Sequence, residues 1–166
     1  MHARWPRLLF YFVIALVLVA DQLSKAWVSA TIPVRDSLTV IPGYFDLTFT
    51  HNTGVAFGMF QGEGLLVALL VVLLALSAFF FTRGVNWAAL EPNVVGGAIV
   101  GGALGNLIDR ARLGYVVDFL DFHLGVHHWY IFNVADSCIC VAVAWLVVGQ
   151  LRTKNVERRI ENSDRF

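Results

Sequence analysis

Residues 64–81, from Gly64 to Phe81, carry no charge at all. A run of that length approaches the roughly 20 residues needed to cross a bilayer core. Three further apolar runs, 8–27, 94–108 and 131–151, accompany it. Together they predict a polytopic membrane protein. Composition agrees, with 58% hydrophobic and only 14% charged residues, against about 25% charged in soluble domains. The formal net charge of zero leaves no electrostatic footprint for nucleic acid. The expected fold is integral to the membrane and mainly α. It has four transmembrane helices and a small outer-face antiparallel β-sheet, in a single polytopic domain covering residues 1–166. Segments 28–63 and 109–130 are the expected outer-face parts.

Arg4 and Arg7 followed by the charge-free Leu8–Ala20 resemble a signal peptide. Three later apolar runs and the lack of a clear A-x-A site favour a first span instead. Four spans put both termini on one side, with Arg4, Arg7, Arg83, Arg152, Lys154, Arg158, Arg159 and Arg165. Arg35, Arg110 and Arg112 fall opposite, so the positive-inside rule makes the termini cytoplasmic. Residues 152–166 read as a solvated end. Cys138 and Cys140 point about 200° apart on a helix, which argues against a mutual disulfide.

Between the first two runs, Leu38–Ile41, Pro42-Gly43 and Tyr44–Thr50 read as strand, turn, strand. Phe45, Leu47 and Phe49 alternate with Asp46, Thr48 and Thr50, which suits a half-buried sheet. His51–Gly58 follows, with Gly54 and Gly58 permitting close approach of a ligand or simply a turn. In the third run Gly97, Gly101 and Gly105 recur every four residues, a stripe along which another helix packs closely.

The chemistry concentrates in residues 96–136. Asp118 lies within Val-Val-Asp-Phe and Asp136 within Phe-Asn-Val-Ala-Asp. A carboxylate among such neighbours is costly and needs a partner or a role. The expected topology brings Asp118, Asp136, Asn52, Asn106, Arg110 and Asn133 to one level of the membrane. Two adjacent carboxylates share a proton and then act as base and acid together. Peptide hydrolysis by an aspartic dyad fits without metal, serine or cysteine.

Other readings of these residues remain open. Asp118 and Arg110 make a plausible structural ion pair, with Asp136 as an anion at a helix N-terminus near Asn133. Asp21 and Lys25, at i and i+4, read as an interfacial pair with Lys25 snorkelling, or as a polar prop for the site. His51, His123, His127 and His128 resemble a ligand cluster, but no H-E-x-x-H or C-x-x-C motif accompanies them. Ser137 and Cys138 lack an evident activating partner. A proton-coupled transporter would also use intramembrane acids, though these acids cluster at one face and form no path across. An assembly module would explain the glycine stripe but not the polar convergence.

Five blocks occur in an order that resembles the bacterial lipoprotein signal peptidases, also called signal peptidase II. They are Asp21 with Lys25, Asn52–Gly58, Gly105-Asn106 with Asp109-Arg110, Gly114 with Val116–Phe119, and Phe132–Ser137. The resemblance implies an intramembrane aspartic endopeptidase of the bacterial cytoplasmic (inner) membrane, with its active site at the outer leaflet. Its substrates would be prolipoproteins carrying diacylglyceryl-cysteine, cut just before that cysteine. Asp118 and Asp136 match the family's catalytic pair. Asn52, Gly54, Asn106, Arg110 and Asn133 match positions lining its substrate pocket, and Asp21 with Lys25 serve as structural support. The family is inhibited by globomycin and implies no cofactor and no metal. The expected partners are prolipoprotein and membrane lipid, with the enzyme a monomer. The Asn52–Gly64 segment is placed to cover the site.

Overall fold

A helix rich in apolar residues tolerates buried charge only where a neighbour answers it, and the first helix shows this directly. In the computed structural model, which describes residues 5–54 and 88–163, α1 spans Trp5–Thr31 without a break at Asp21 or Lys25. It outruns the expected span of 8–27 at both ends, and its internal charges are answered by the other helices, Lys25 by Asn106 and Asp109 and Asp21 by the Ala135 N–H. One face stays exposed at Leu8, Phe12, Leu16, Val19, Leu23 and Trp27, the three-to-four-residue period of a lipid-facing stripe. The stretch Arg7–Thr31 is long and apolar enough to cross a membrane.

Helix α2, Leu90–Leu113, is longer than the expected 94–108, and Pro92 sits in its first turn, where no N–H is needed. Its glycines explain how it meets two helices. A Cβ on Gly97 would lie 2.9 Å from Phe10 O, and one on Gly101 2.9 Å from Ile14 O. A Cβ on Gly105 would collide with the Asp21 carboxylate. The stripe expected to admit another helix therefore seats α1. Gly102 does the same for α3, Val134–Ser163, with a Cβ position 2.7 Å from Ala135 O. The helical backbone of α3 continues to Ser163, where the sequence suggested a solvated end from 152. The expected span 64–81 and the cover segment beyond Gly54 lie outside the described residues.

Four antiparallel strands form the sheet, in the order β1 (Ser37–Ile41), β2 (Phe45–Asn52), β3 (Val116–Leu124) and β4 (His127–His128). The first hairpin turns at Pro42-Gly43, with Gly43 at φ +83° and Tyr44 N–H donating to Ile41 O at 3.0 Å. Proline then glycine is the pairing a type II turn requires. Helix α2 ends at Gly114, φ +80°, whose N–H returns to Arg110 O at 3.1 Å. That left-handed cap turns the chain into β3, two residues before Asp118.

Alternation along β3 separates structure from chemistry. Val117 and Phe119 join Val28, Ile32 and Phe49 in a buried apolar cluster, so the side chain between them faces the other way. The register places Thr50 opposite Asp118 and Asn52 opposite Val116. Phe132 then bridges to Leu120, with Leu120 N–H donating to Phe132 O at 2.7 Å. This short pairing delivers Asn133, and with it the start of α3, beside Asp118.

Candidate active site

Asn133 immediately precedes α3 and acts as its cap. Its Oδ1 accepts the Asp136 N–H at 2.9 Å, the bond an N-cap side chain makes to the third helical residue. The Nδ2 of the same amide donates to Asp118 Oδ1 at 2.6 Å. A single fully buried side chain thus fixes the first turn of α3 and the carboxylate of β3 together. Asn52 Nδ2 donates to the other oxygen, Asp118 Oδ2, at 2.8 Å. On the far side Asn106 Nδ2 donates to Asp136 Oδ1 at 2.7 Å, and Asn133 Nδ2 reaches Asn106 Oδ1 at 3.1 Å. Asn133 and Asn106, from the approach to α3 and from α2, link the two carboxylates, and Asn52 of β2 holds Asp118 from its other oxygen.

Asp118 is 1% exposed. Burial, and then the charge of Asp136, push its pKa up to about 7, while bonds from Asn52 and Asn133 and the Lys25 cation hold it back. The local electrostatics therefore favour one proton held at this site near neutral pH.

Arg110 departs from the ion-pair reading. Its Nη2 donates to Gly54 O at 2.7 Å and its Nη1 to Asn106 O at 3.3 Å. The guanidinium ties α2 to the segment after β2, and Gly54 N–H in turn donates to Asn52 Oδ1 at 2.9 Å. Two positions singled out in the sequence are thereby held by a third. Two other acids that could pair with Arg110 have partners of their own: Asp109 contacts Lys25 at 2.9 Å and Asp121 contacts His128 at 2.9 Å.

The interfacial reading of Asp21 and Lys25 is also corrected. Their pair exists, at 2.8 Å, but Lys25 is 3% exposed and does not snorkel. Its ammonium also donates to Asn106 Oδ1 at 3.0 Å. Sequence reasoning assigned no role to Gln22, whose Nε2 donates to Asp109 Oδ1 at 2.9 Å, nor to Asp109 itself. The available signal was spacing. Gln22 lies three residues before Lys25, and Asp109 three after Asn106, so each shares a helix face with a suspected site residue.

The histidines serve the sheet. His123 faces Asp46 at 3.3 Å and His128 faces Asp121, while their rings stack at 4.6 Å. His51 stacks on Tyr115 at 3.7 Å. Among the described residues no group of three potential ligands is arranged around a metal position. The Ser137 hydroxyl donates to Asn133 O at 2.8 Å, a helix-start bond that leaves it unactivated.

Residues 13–152 match the family described as signal peptidase (SPase) II. The lipoprotein signal peptidase of Oleidesulfovibrio alaskensis is 41% identical over 151 residues, covering 87% of this chain and 95% of that protein. The lipoprotein signal peptidase of Shewanella loihica is also 41% identical, over 89% of this chain and 90% of that one. A solved structure described as a bacterial membrane enzyme at 2.3 Å superposes with a TM-score of 0.79 at 29% identity. It covers 87% of this chain and 88% of that one. A second bacterial membrane enzyme, at 1.9 Å, gives 0.75 over 86% and 92% of the two chains. With most of its length matched, the chain belongs to the signal peptidase II family, the lipoprotein signal peptidases, and is an aspartic peptidase of the membrane.

Proposed function

We propose that this peptidase cuts diacylglyceryl-modified prolipoproteins just before the lipidated cysteine, with Asp118 and Asp136 as its catalytic pair. The supporting observation is the amide bridge. Asn52, Asn106 and Asn133 hold two carboxylates of separate elements in one network, and among the described residues neither carboxylate is in a salt bridge. In the reaction, ionised Asp136 takes a proton from the attacking water, and protonated Asp118 gives its proton to the scissile carbonyl oxygen. The tetrahedral diol then collapses. Asp136 passes its proton to the leaving amine, and Asp118 recovers one from the diol hydroxyl, so the pair ends as it began.

Asn52, Gly54, Asn106, Arg110 and Asn133 line the substrate pocket in this reading, and Asp21 with Lys25 support it. Arg110 retains donors suited to a substrate carbonyl or a lipid headgroup. The chain is a single domain over 1–166 with four transmembrane helices. Both termini are cytoplasmic, in the bacterial inner membrane, and the site lies at the outer leaflet. There a lipidated cysteine carrying an apolar signal helix enters sideways from the bilayer. The enzyme acts as a monomer without cofactor and binds globomycin-type inhibitors. Purified protein given matched peptides with and without diacylglycerol on the cysteine tests this. Cleavage before the lipidated cysteine alone is expected. No cleavage of either peptide would return the acids to a transport role.

A further inference from the structure

Asp21 and Asp109, two buried carboxylates outside the proposed chemistry, each hold a backbone N–H one residue before a member of the dyad. Asp21 Oδ1 accepts from Ala135 N–H at 3.0 Å, just ahead of Asp136. Asp109 Oδ2 accepts from Val117 N–H at 3.1 Å, just ahead of Asp118. The Lys25 ammonium joins these carboxylates, 2.8 Å from Asp21 Oδ2 and 2.9 Å from Asp109 Oδ2. Gln22 joins them again, its Nε2 3.3 Å from Asp21 Oδ2 and 2.9 Å from Asp109 Oδ1. Asp21 is fully buried, and Lys25 and Asp109 are each 3% exposed.

The third ammonium donor reaches Asn106 Oδ1 at 3.0 Å. An ammonium has three donors and no acceptor, so this contact requires the amide oxygen there. The Asn106 NH2 must then point the other way, to Asp136 Oδ1 at 2.7 Å. A flipped amide would set donor against donor at Lys25 and oxygen against carboxylate at Asp136. Lys25 therefore fixes which end of Asn106 the dyad meets.

We propose that Lys25, together with Gln22, is a positioning yoke for the catalytic pair. It sets how closely the backbones carrying Asp118 and Asp136 approach, and it orients the amide between them. This inference rests on the dyad reading and adds residues that touch neither substrate nor reacting atoms. Besides Lys25 and Asn106, Asp136 is faced by Asp21 of α1, Arg110 of α2, Asp118 of β3 and its own cap Asn133. The test therefore reads turnover against binding, because several charges would shift a pH profile together.

Lys25→Met/Asp109→Asn removes one positive and one negative charge, so the cluster's net charge is kept and an amide oxygen remains for Val117 N–H. Misplacement on the order of 1 Å costs about 100-fold in rate. Turnover should fall by about that factor with KM nearly unchanged, the pattern of an interaction lost only in the transition state. Gln22→Leu changes no charge, and its smaller displacement should slow turnover by roughly 5-fold, again at constant KM. Normal turnover in a folded double variant overturns the yoke, and so does a loss confined to KM. If the double variant does not accumulate, Gln22→Leu decides alone, and its normal turnover also overturns the proposal. Asp118→Asn and Asp136→Asn run beside them. Cleavage by either defeats the dyad reading itself, whereas inactivity in both with full-rate yoke variants defeats only the yoke.

Discussion

Two neighbouring pairs of carboxylates, all buried except the half-buried Asp136, are treated in opposite ways. Asp21 and Asp109 have an ammonium between them, with contacts of 2.8 and 2.9 Å. Among the described residues, the side chains hydrogen-bonded to Asp118 and Asp136 are amides, and neither carboxylate has an ion-pair contact. A cation compensates two negative charges and leaves a fixed structural joint. Amides donate hydrogen bonds but bring no charge, so electrostatics favours a shared proton on the second pair. The same residue type therefore becomes scaffold in one place and a candidate acid–base pair in the other, and what differs is the group set between the partners.

The largest effect should come from altering the second pair. Asp118→Asn or Asp136→Asn keeps shape and much of the amide network while removing the acid–base chemistry. Each should lower turnover by roughly 10⁴-fold, and the double change should be little worse, since groups acting as a unit are not additive. The melting temperature should stay near the parent's, because an amide is easier to bury than a carboxylate. Substantial cleavage by either folded variant would erase the distinction between the pairs.

The first pair should fail in the other direction. Asp21→Leu leaves Lys25 with one fewer counter-charge and Ala135 N–H without its acceptor. Breaking a buried pair costs about 3–5 kcal/mol, so poor accumulation and a lower melting temperature are expected in thermal unfolding of the purified protein. An Asp21→Leu variant as stable as the parent would show that the ammonium is not needed as a joint.

A smaller effect belongs to Arg110, which borders both regions. Arg110→Lys keeps the charge but loses the planar fork that reaches Gly54 O and Asn106 O together. Cleavage should drop roughly 10-fold, in line with about 1.4 kcal/mol, while folding is retained. Normal cleavage by this variant would mean that the charge alone suffices.

The sequence made the second pair legible and the first only in part. Asp118 and Asp136 stand among Val, Phe and Ala, where a carboxylate is conspicuous. The turn at Pro42-Gly43 and the alternation of Phe45, Leu47 and Phe49 announced the first hairpin. The sequence left Lys25 open between snorkelling and a polar prop because its decisive partners, Asn106 and Asp109, lie on another helix more than eighty residues away. Helical periodicity reveals which residues share a face, but not what that face meets. The C-terminal end of α2 was missed for a related reason, since a hydropathy run stops at a charge such as Asp109 whether or not a neighbouring helix answers it. Asn133 illustrates the remaining limit. The sequence placed it near a helix start beside Asp136, whereas its cap bond and its bond to Asp118 emerge only with the Leu120–Phe132 pairing that positions it.

The central claim is that Asp118 and Asp136 share a proton, and titrating the Asp118 carboxyl carbon by NMR in the intact, selectively labelled protein tests it most directly. Burial and the neighbouring charge place its pKa at about 7. Because the folded value exceeds the unfolded one, this group's contribution to stability is greatest at acid pH and declines as pH rises from about 4 to about 7. In Asp136→Asn the titration should move down but stay above the ordinary carboxylate range, because burial, the larger cause, remains. An Asp118 carboxyl that titrates near pH 4 in the parent, and does not move in Asp136→Asn, would contradict the shared proton.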